Sequence, residues 1–338
     1  MRVNVVEPMK MQPVLVERVW GGRRLGDLLG KPVPEGARIG ESWELSDLPH
    51  ACSRVAGGPL AGKTLREVLE HHPVEALGRG PAARAWAARF GLLVKFIDAS
   101  DRLSVQVHPD DDFAAAHSPG ESGKTECWVI LHADPGAWLI LGLQPGVTRK
   151  GFADALKKGR VEELLAVRPV KAGDFIWVPA GTVHAIGPGI VLAEIQQSSD
   201  LTYRIFDWNR MGLDGKPRAL HVEQALKAIR FSGGPAAGGR GRTADETGLV
   251  IEHLADCPAF SLSRISLDRR PFAAGTGGAC AALVVLAGSA RLATGRNVTP
   301  IAAGDTVLVP ADCEEYALEA PEGLTVLVAA PPGKAPQR

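Results

Sequence analysis

Several stretches of this chain alternate polar and apolar residues with a period of two, the mark of a β-strand with one wet and one buried face. Ser104-Val105-Gln106-Val107-His108 sets Ser104, Gln106 and His108 on one surface, with Val105 and Val107 behind them. Lys124, Glu126 and Trp128 repeat the pattern, with Thr125, Cys127 and Val129 on the other side. Glu41–Ser46 and Ile190–Gln197 alternate too, and the second puts Leu192, Glu194 and Gln196 on one face. Pro13–Leu25 predicts a strand running into a glycine turn, and the apolar run Leu92–Ile97 predicts a buried strand. Read this way, a nitrogen ligand, a carboxylate and an amide oxygen converge inside one sheet.

Helical signals lie between these strands. Thr64 and Glu67 form a capping box that opens a short helix. The Ala- and Arg-rich sequence that follows, up to Phe90, reads as helix packed on the outside of a sheet. Asp110–Gly123 is a loop between the two polar strands. Its Asp110-Asp111-Asp112 triplet lacks the repeating oxygen-ligand pattern of a calcium loop and reads as a solvated helix start. Thr148–Val167 is helical with a break near Gly159, and His221–Arg230 is a last amphipathic helix.

The Gly-rich segment Ser232–Asp245 is the best linker in the chain. It suggests a catalytic domain over 1–231, a linker over 232–246 and a second domain over 247–338. Beyond it, Leu249–Ala330 is strand-rich with turns at regular intervals, as in a small all-β sandwich. An internal repeat links the two parts: Ala303–Ala311 (A-G-D-T-V-L-V-P-A) echoes Ala172–Ala180 (A-G-D-F-I-W-V-P-A). In the second copy Asp312 stands where Gly181 stood, and Glu315 where His184 stood. The scaffold is repeated and the ligand is lost, so the second domain is expected to carry no metal ligands.

Composition narrows the function. The chain has 338 residues, 45% apolar and 22% charged, ordinary for a globular protein of two domains. Lys+Arg and Asp+Glu both number 38, so no global field draws nucleic acid or a membrane surface, and an anionic substrate must be held locally. The first twenty residues contain no uninterrupted apolar run, and no later stretch reaches membrane-spanning length. Five scattered cysteines, never in C-x-x-C, argue against a disulfide framework or a thiolate zinc site and for a reducing cytoplasm.

The candidate chemistry sits in the alternating strands and in Gly173–His184, where the spacing G-x5-P-x-G-x2-H matches the second cupin motif. Gln106, His108, Glu126 and His184 form a mixed nitrogen and oxygen donor set suited to a divalent transition metal, with zinc the best fit. Gln106 is the weakest member, because amides bind zinc poorly; its other role is a hydrogen bond to a ligand. His71, His72, His117 and His132 read as structural residues, and Cys127 as a packing thiol. Trp20, before Gly21-Gly22, is either an aromatic lid over a substrate or an anchor at a strand end. With the repeat, the fold class expected is mostly β: two cupin-type jelly-roll barrels with helical insertions.

With these residues in view the chain resembles the class I mannose-6-phosphate isomerases, in their short bacterial form. The likeness rests on V-W-G-G, E-S-W-E-L-S, K-F-I-D-A-S-D-R-L-S-V-Q-V-H-P, K-T-E-C-W, P-A-G-T-V-H-A-I-G and E-I-Q-Q-S-S-D-L-T-Y-R-I-F-D-W-N-R, spanning residues 13 to 210. It implies a single zinc at Gln106, His108, Glu126 and His184, and an essential arginine at Arg204. It also implies contacts to a small-molecule sugar phosphate from Ser104, Lys124 and Arg210. Some family members have a tyrosine two residues after the second histidine; Ile186 stands there, so that role does not carry over. The implied reaction moves a proton between C1 and C2 of an open-chain sugar through an enediolate, and Glu194, Asp200 and Lys124 are unranked candidates for the shuttle. The rivals are a cupin isomerase of another sugar phosphate and a non-enzymatic sugar-binding bicupin. Lys124, Arg204 and Arg210 beside the ligands favour an enzyme, acting as a monomer or homodimer.

Overall fold

The period-two stretches become strands of two facing antiparallel sheets. The computed structural model describes residues 7–232, 242–244, 248–295 and 297–334. A six-stranded sheet runs in the order Phe175–Val178, Glu126–Ala133, Ile190–Gln197, Leu92–Ala99, Ile39–Leu45, Val14–Gly22. A five-stranded sheet runs Tyr203–Phe206, Val105–Val107, His184–Ile186, Trp138–Leu143, Leu165–Pro169. Their inner faces meet through Ile97, Trp128, Ile130, Leu139, Leu141, Ile186 and Leu192, giving a jelly-roll barrel.

The outer face of the six-stranded sheet is buried as well, which is why Leu92–Ala99 is buried along its whole length. Val94, Phe96, Cys127, Val129, Ala193 and Ile195 pack there with Leu65, Leu69, Leu77 and Trp86 of the helices Leu65–His71, Pro73–Leu77 and Pro81–Ala88. Phe260, Ala282, Leu308 and Leu327 of the C-terminal half join the same core. The helices expected on the outside of a sheet therefore form a wedge between the two halves. The first of them starts at the capping box: Glu67 N–H donates to the Thr64 hydroxyl and the Glu67 carboxylate accepts from Thr64 N–H. Asp110 caps the helix Asp111–His117. The strand expected to run into a glycine turn within Pro13–Leu25 is Val14–Gly22, and Leu25 already lies in the helix that follows, Arg24–Leu29. Gly21 lets two strands approach: a Cβ there would stand 2.5 Å from Gly40 N.

The C-terminal half is a second set of antiparallel strands around a separate core containing Ile265, Leu283, Val285, Leu292, Val307, Tyr316 and Val326. The expected division of the chain is crossed by Met9–Gln12, which pairs with Thr306–Val309 and so extends the C-terminal sheet. Part of the expected linker is strand: Arg242–Ala244 pairs with Val250–Asp256, while residues 233–241 and 245–247 lie outside the described residues.

The internal repeat holds at atomic detail. Gly173 and Gly304 take φ of 91° and 90°, a conformation glycine adopts without a Cβ penalty. Lys171 N–H donates to Asp174 Oδ2 at 3.0 Å, and Ala302 N–H donates to Asp305 Oδ2 at 2.9 Å. The copies then part. Val178 faces Glu126 across its strand pair, whereas Val309, its counterpart, faces Ala281. Glu315, in the place of His184, is exposed. In the second barrel both donor positions have thus changed.

Candidate metal centre and active site

Two cross-strand rows face each other inside the first barrel. In the six-stranded sheet Trp43, Lys95, Glu194 and Trp128 are register partners in turn, and Gln196 pairs with Glu126. In the five-stranded sheet Arg204, Gln106 and His184 are register partners. The donors therefore do not converge inside one sheet, as their alternation suggested. Gln106 and His184 come from one sheet, His108 follows the strand Val105–Val107 of that sheet, and Glu126 comes from the opposite one.

His108, Glu126 and His184 are all buried, and their ligand atoms lie within 4.8 Å of one another. Both histidine Nε2 atoms stand 3.4 Å from a Glu126 oxygen. Each ring is fixed from behind: His108 Nδ1 lies 3.0 Å from the Leu201 carbonyl and His184 Nδ1 lies 2.9 Å from that of Thr182. A carbonyl only accepts, so Nδ1 carries the proton and the Nε2 lone pair points at Glu126. Burial lowers both histidine pKa values, that of His184 to about 4 despite its Thr182 bond, so both are neutral at pH 7. His108 Nε2 and Glu126 Oε1 lack a hydrogen-bond partner although buried, and Glu126 Oε2 has only the Lys124 ammonium beside it. Buried polar atoms are nearly always paired. Unpaired acceptors on a neutral imidazole and a carboxylate, aimed at one point beside His184 Nε2, fit a divalent cation, and these residues can hold one.

Gln106 comes close through its amide: Nε2 lies 3.2 Å from His184 Nε2, and Oε1 accepts from the Ser104 hydroxyl at 3.4 Å. As placed, it is the amide nitrogen that faces the histidine. Lys124 Nζ stands 3.1 Å from Glu126 Oε2. Burial works against its charge, but Glu126, Glu194 and Asp200 overcome this and raise its pKa, so Lys124 is an ammonium at any working pH. Glu194 is shifted up by burial and by Glu126, against the pull of Lys124 and Lys95. Trp128 Nε1 donates to its Oε2 at 3.0 Å, and its Oε1 has no hydrogen-bond partner.

Gln106, Lys124, Trp128 and Glu194 line a cavity of about 470 Å³, with Trp20, Glu41, Lys95, Ser104, Asp200, Arg204 and Arg218 among its other walls. That volume suits a small polar ligand. A metal-competent trio, a carboxylate of raised pKa and fixed cations are the parts of a site for proton transfer at a carbon next to a carbonyl.

Residues 9–126 match the family described as phosphomannose isomerase type I, catalytic domain. The chain is 37% identical over 322 residues to the mannose-6-phosphate isomerase ManA of Bacillus subtilis, covering 93% of this chain and 96% of that protein. It is 37% identical to the mannose-6-phosphate isomerase of Streptococcus mutans, over 90% and 93% of the two chains. The chain belongs to the type I phosphomannose isomerases. The crystal structure of the Bacillus subtilis mannose 6-phosphate isomerase superposes with a TM-score of 0.87 at 32% identity, covering 95% of this chain and 99% of that one.

In this type I phosphomannose isomerase the expected site residues fare differently. Ser104, Gln106, Lys124, Glu194, Asp200 and Arg204 all line the cavity. Arg204 donates from Nε to Ser104 Oγ at 3.3 Å and from Nη1 to the Ala219 carbonyl at 2.9 Å. It has no ion pair with Asp200 or Glu194; both carboxylates stand instead beside the Lys95 ammonium, at 3.8 and 3.7 Å. Trp20 lines the cavity too, but it is 3% exposed and sits in the inter-sheet core, so it is a wall and not a lid. Arg210 is not brought into the cavity lining. It is spent on Asp207, Asp101 and the Arg102 carbonyl. His71 and His117 each bond a backbone carbonyl of their own helix, and His132 pairs with Asp134. Cys127 donates to the Ile195 carbonyl on the outer face.

Sequence reasoning missed Lys95, Glu41, Arg18 and Arg218. A lysine inside the apolar run Leu92–Ile97 was a usable signal, since a charge there needs partners. Lys95 has them in Glu194, Asp200 and the Trp43 ring, 4.4 Å from Nζ. Glu41 accepts from Arg18 and from Trp43 Nε1, each at 2.8 Å.

Proposed function

We propose that this chain interconverts mannose 6-phosphate and fructose 6-phosphate by proton transfer between C1 and C2, through an enediolate, with a single zinc held by His108, Glu126, His184 and Gln106. The observation that carries this reading is the buried trio of donors in contact with two cavity-lining residues, Gln106 at His184 and Lys124 at Glu126, which share that cavity with Glu194 and Arg204. Gln106 joins them if its amide is turned so that oxygen, not nitrogen, faces His184; the two orientations have the same shape.

The bound cation supplies a Lewis acid for the sugar oxygens. The chain's own residues do the rest. Lys124 and Arg204 present fixed positive charge where the enediolate oxygens develop negative charge. Glu194 carries the proton: its raised pKa suits exchange in both directions, and Trp128 fixes its Oε2 while Oε1 stays unbonded. Asp200 orients Lys95, 3.8 Å away, and is more exposed than Glu194. Ser104 holds Arg204 and Gln106 in register. The second barrel serves as scaffold, and the enzyme works in the cytoplasm as a monomer or homodimer. Cys52, Cys127, Cys257 and Cys280 are free thiols, which suits that compartment. No described helix is long and apolar enough to cross a membrane.

A coupled assay of fructose 6-phosphate formation, with and without chelator, tests the proposal. Turnover that disappears with chelator and returns with zinc supports it. Binding of the sugar phosphate without turnover would make the chain a sugar-binding bicupin instead.

A further inference from the structure

The same cavity must hold the far end of its substrate, a phosphate dianion. Arg210, expected to contact it, is turned away. The structure offers another guanidinium. After the strand Tyr203–Phe206 the chain reverses at Trp208 and Asn209, both with positive φ (58° and 53°), an unfavourable conformation for residues with a Cβ. A small hairpin follows, closed by the Met211–Pro217 bridge and by Gly212 N–H donating to the Lys216 carbonyl at 2.7 Å. This fold-back returns Arg218 to Asp207, where its Nε and Nη2 make a fork at 2.7 and 2.6 Å. Asp207 is buried and holds both Arg210 and Arg218, but only Arg218 lines the cavity.

We propose that Arg218, held by Asp207, grips the phosphate group of the substrate and makes the enzyme select phosphorylated over free hexose. The inference rests on the sugar-phosphate reading of the cavity. The fork uses Nε and one edge of Nη2, so Nη1 and the other edge remain free to donate to phosphate oxygens. Arg204 stands close enough that Arg218 lowers its pKa, after burial the largest effect, and Arg18 on the opposite wall adds to it. Like charges crowded in a half-buried site are relieved by an arriving dianion. Glu41 neutralises Arg18, whereas Arg204 has no carboxylate partner. Of the carboxylates on the same walls, Asp214 is committed through Oδ1 to Lys216 N–H, and Glu17 comes from the strand that carries Arg18.

The test compares wild type with Arg218→Ala and Arg218→Lys, measuring kcat and KM for mannose 6-phosphate and the inhibition constant of inorganic phosphate. Melts and metal content are taken on the same preparations. Arg218→Ala should raise KM and the phosphate inhibition constant about 10- to 100-fold, the effect of losing hydrogen bonds to a charged group, with kcat within about threefold. Arg218→Lys keeps a charge beside Asp207 and should fall between; if Arg218→Ala does not fold, this variant decides. A brace with no ligand role would lower the melting temperature and leave phosphate inhibition unchanged, and that result overturns the inference. So would a fall in kcat with KM intact. A wild-type enzyme that turns over mannose 6-phosphate while phosphate inhibits the variants as strongly as wild type sinks this assignment alone; a wild type with no turnover sinks the reading beneath it.

Discussion

Replacing Arg204 by Ala separates a catalytic guanidinium from a structural one. In the folded chain its bonds are modest: a 3.3 Å contact to Ser104 Oγ and a 2.9 Å bond to the Ala219 carbonyl. Two such bonds contribute roughly 1 kcal/mol each to stability. Part of that is offset, because the variant also removes a half-buried charge crowded by Arg218. We therefore expect a net loss near 1 kcal/mol, a few degrees of melting temperature for a chain of this size. The expected kinetic effect is larger. A preorganised donor aimed at developing negative charge is worth about 2.7–4 kcal/mol, so kcat should fall roughly 10²–10³-fold. Metal content should not change, since Arg204 is not a ligand. Arg204→Lys keeps the charge but loses the fork and should recover only part of the rate. Steady-state kinetics, thermal melts and metal analysis on one preparation decide the matter. Near-normal kcat per folded molecule with a large stability loss would refute the reasoning. Raised KM with kcat intact would make Arg204 a phosphate ligand.

Glu41 gives a pH test. Burial alone would raise its pKa, but Lys95, Arg18 and Trp43 bring it down from 4.5 to about 2. A depressed carboxylate stabilises the fold above its unfolded pKa, so this contribution, roughly 3 kcal/mol, is fully present above about pH 5 and lost as pH falls towards 2. Urea denaturation across that window should show a shallower pH slope for Glu41→Gln than for wild type; equal slopes would remove Glu41 from the account. The second barrel gives a third prediction. Because Glu315 is exposed and Ala281 faces Val309 as Glu126 faces Val178, Glu315→Ala should leave metal content and turnover unchanged. A drop in bound metal in that variant would place a second site there.

Much of the centre was legible because the chemistry depends on local spacing. Glu126 sits on a strand and His108 directly after one, with inward faces set by alternation, and Gly173–Gly181 fixes the turn that delivers His184. What alternation could not say is which sheet each strand joins, so Glu126 was put beside the histidines when it faces them across the barrel. Arg210 and Arg218 illustrate the same limit. Both flank the same hairpin, and only the fold-back at Trp208 and Asn209 decides which guanidinium Asp207 turns inward. The pairing of Met9–Gln12 with Thr306–Val309 is non-local and leaves no local trace, so the chain divides less cleanly than its Gly-rich segment implied. Lys95 was legible in principle, as a charge in a buried strand, but its partners Glu194 and Asp200 are set by register between strands far apart in sequence.

The central claim is that His108, Glu126 and His184 hold the metal on which isomerisation depends. The most direct test is metal analysis and the fructose 6-phosphate assay on wild type and His184→Ala, with melts to show that both are folded. The account predicts a single zinc per chain in wild type, turnover abolished by chelator and restored by zinc, and a His184→Ala protein that has lost metal and activity together while remaining folded on its own strand cores. A His184→Ala protein that keeps stoichiometric zinc and turns over normally would contradict it.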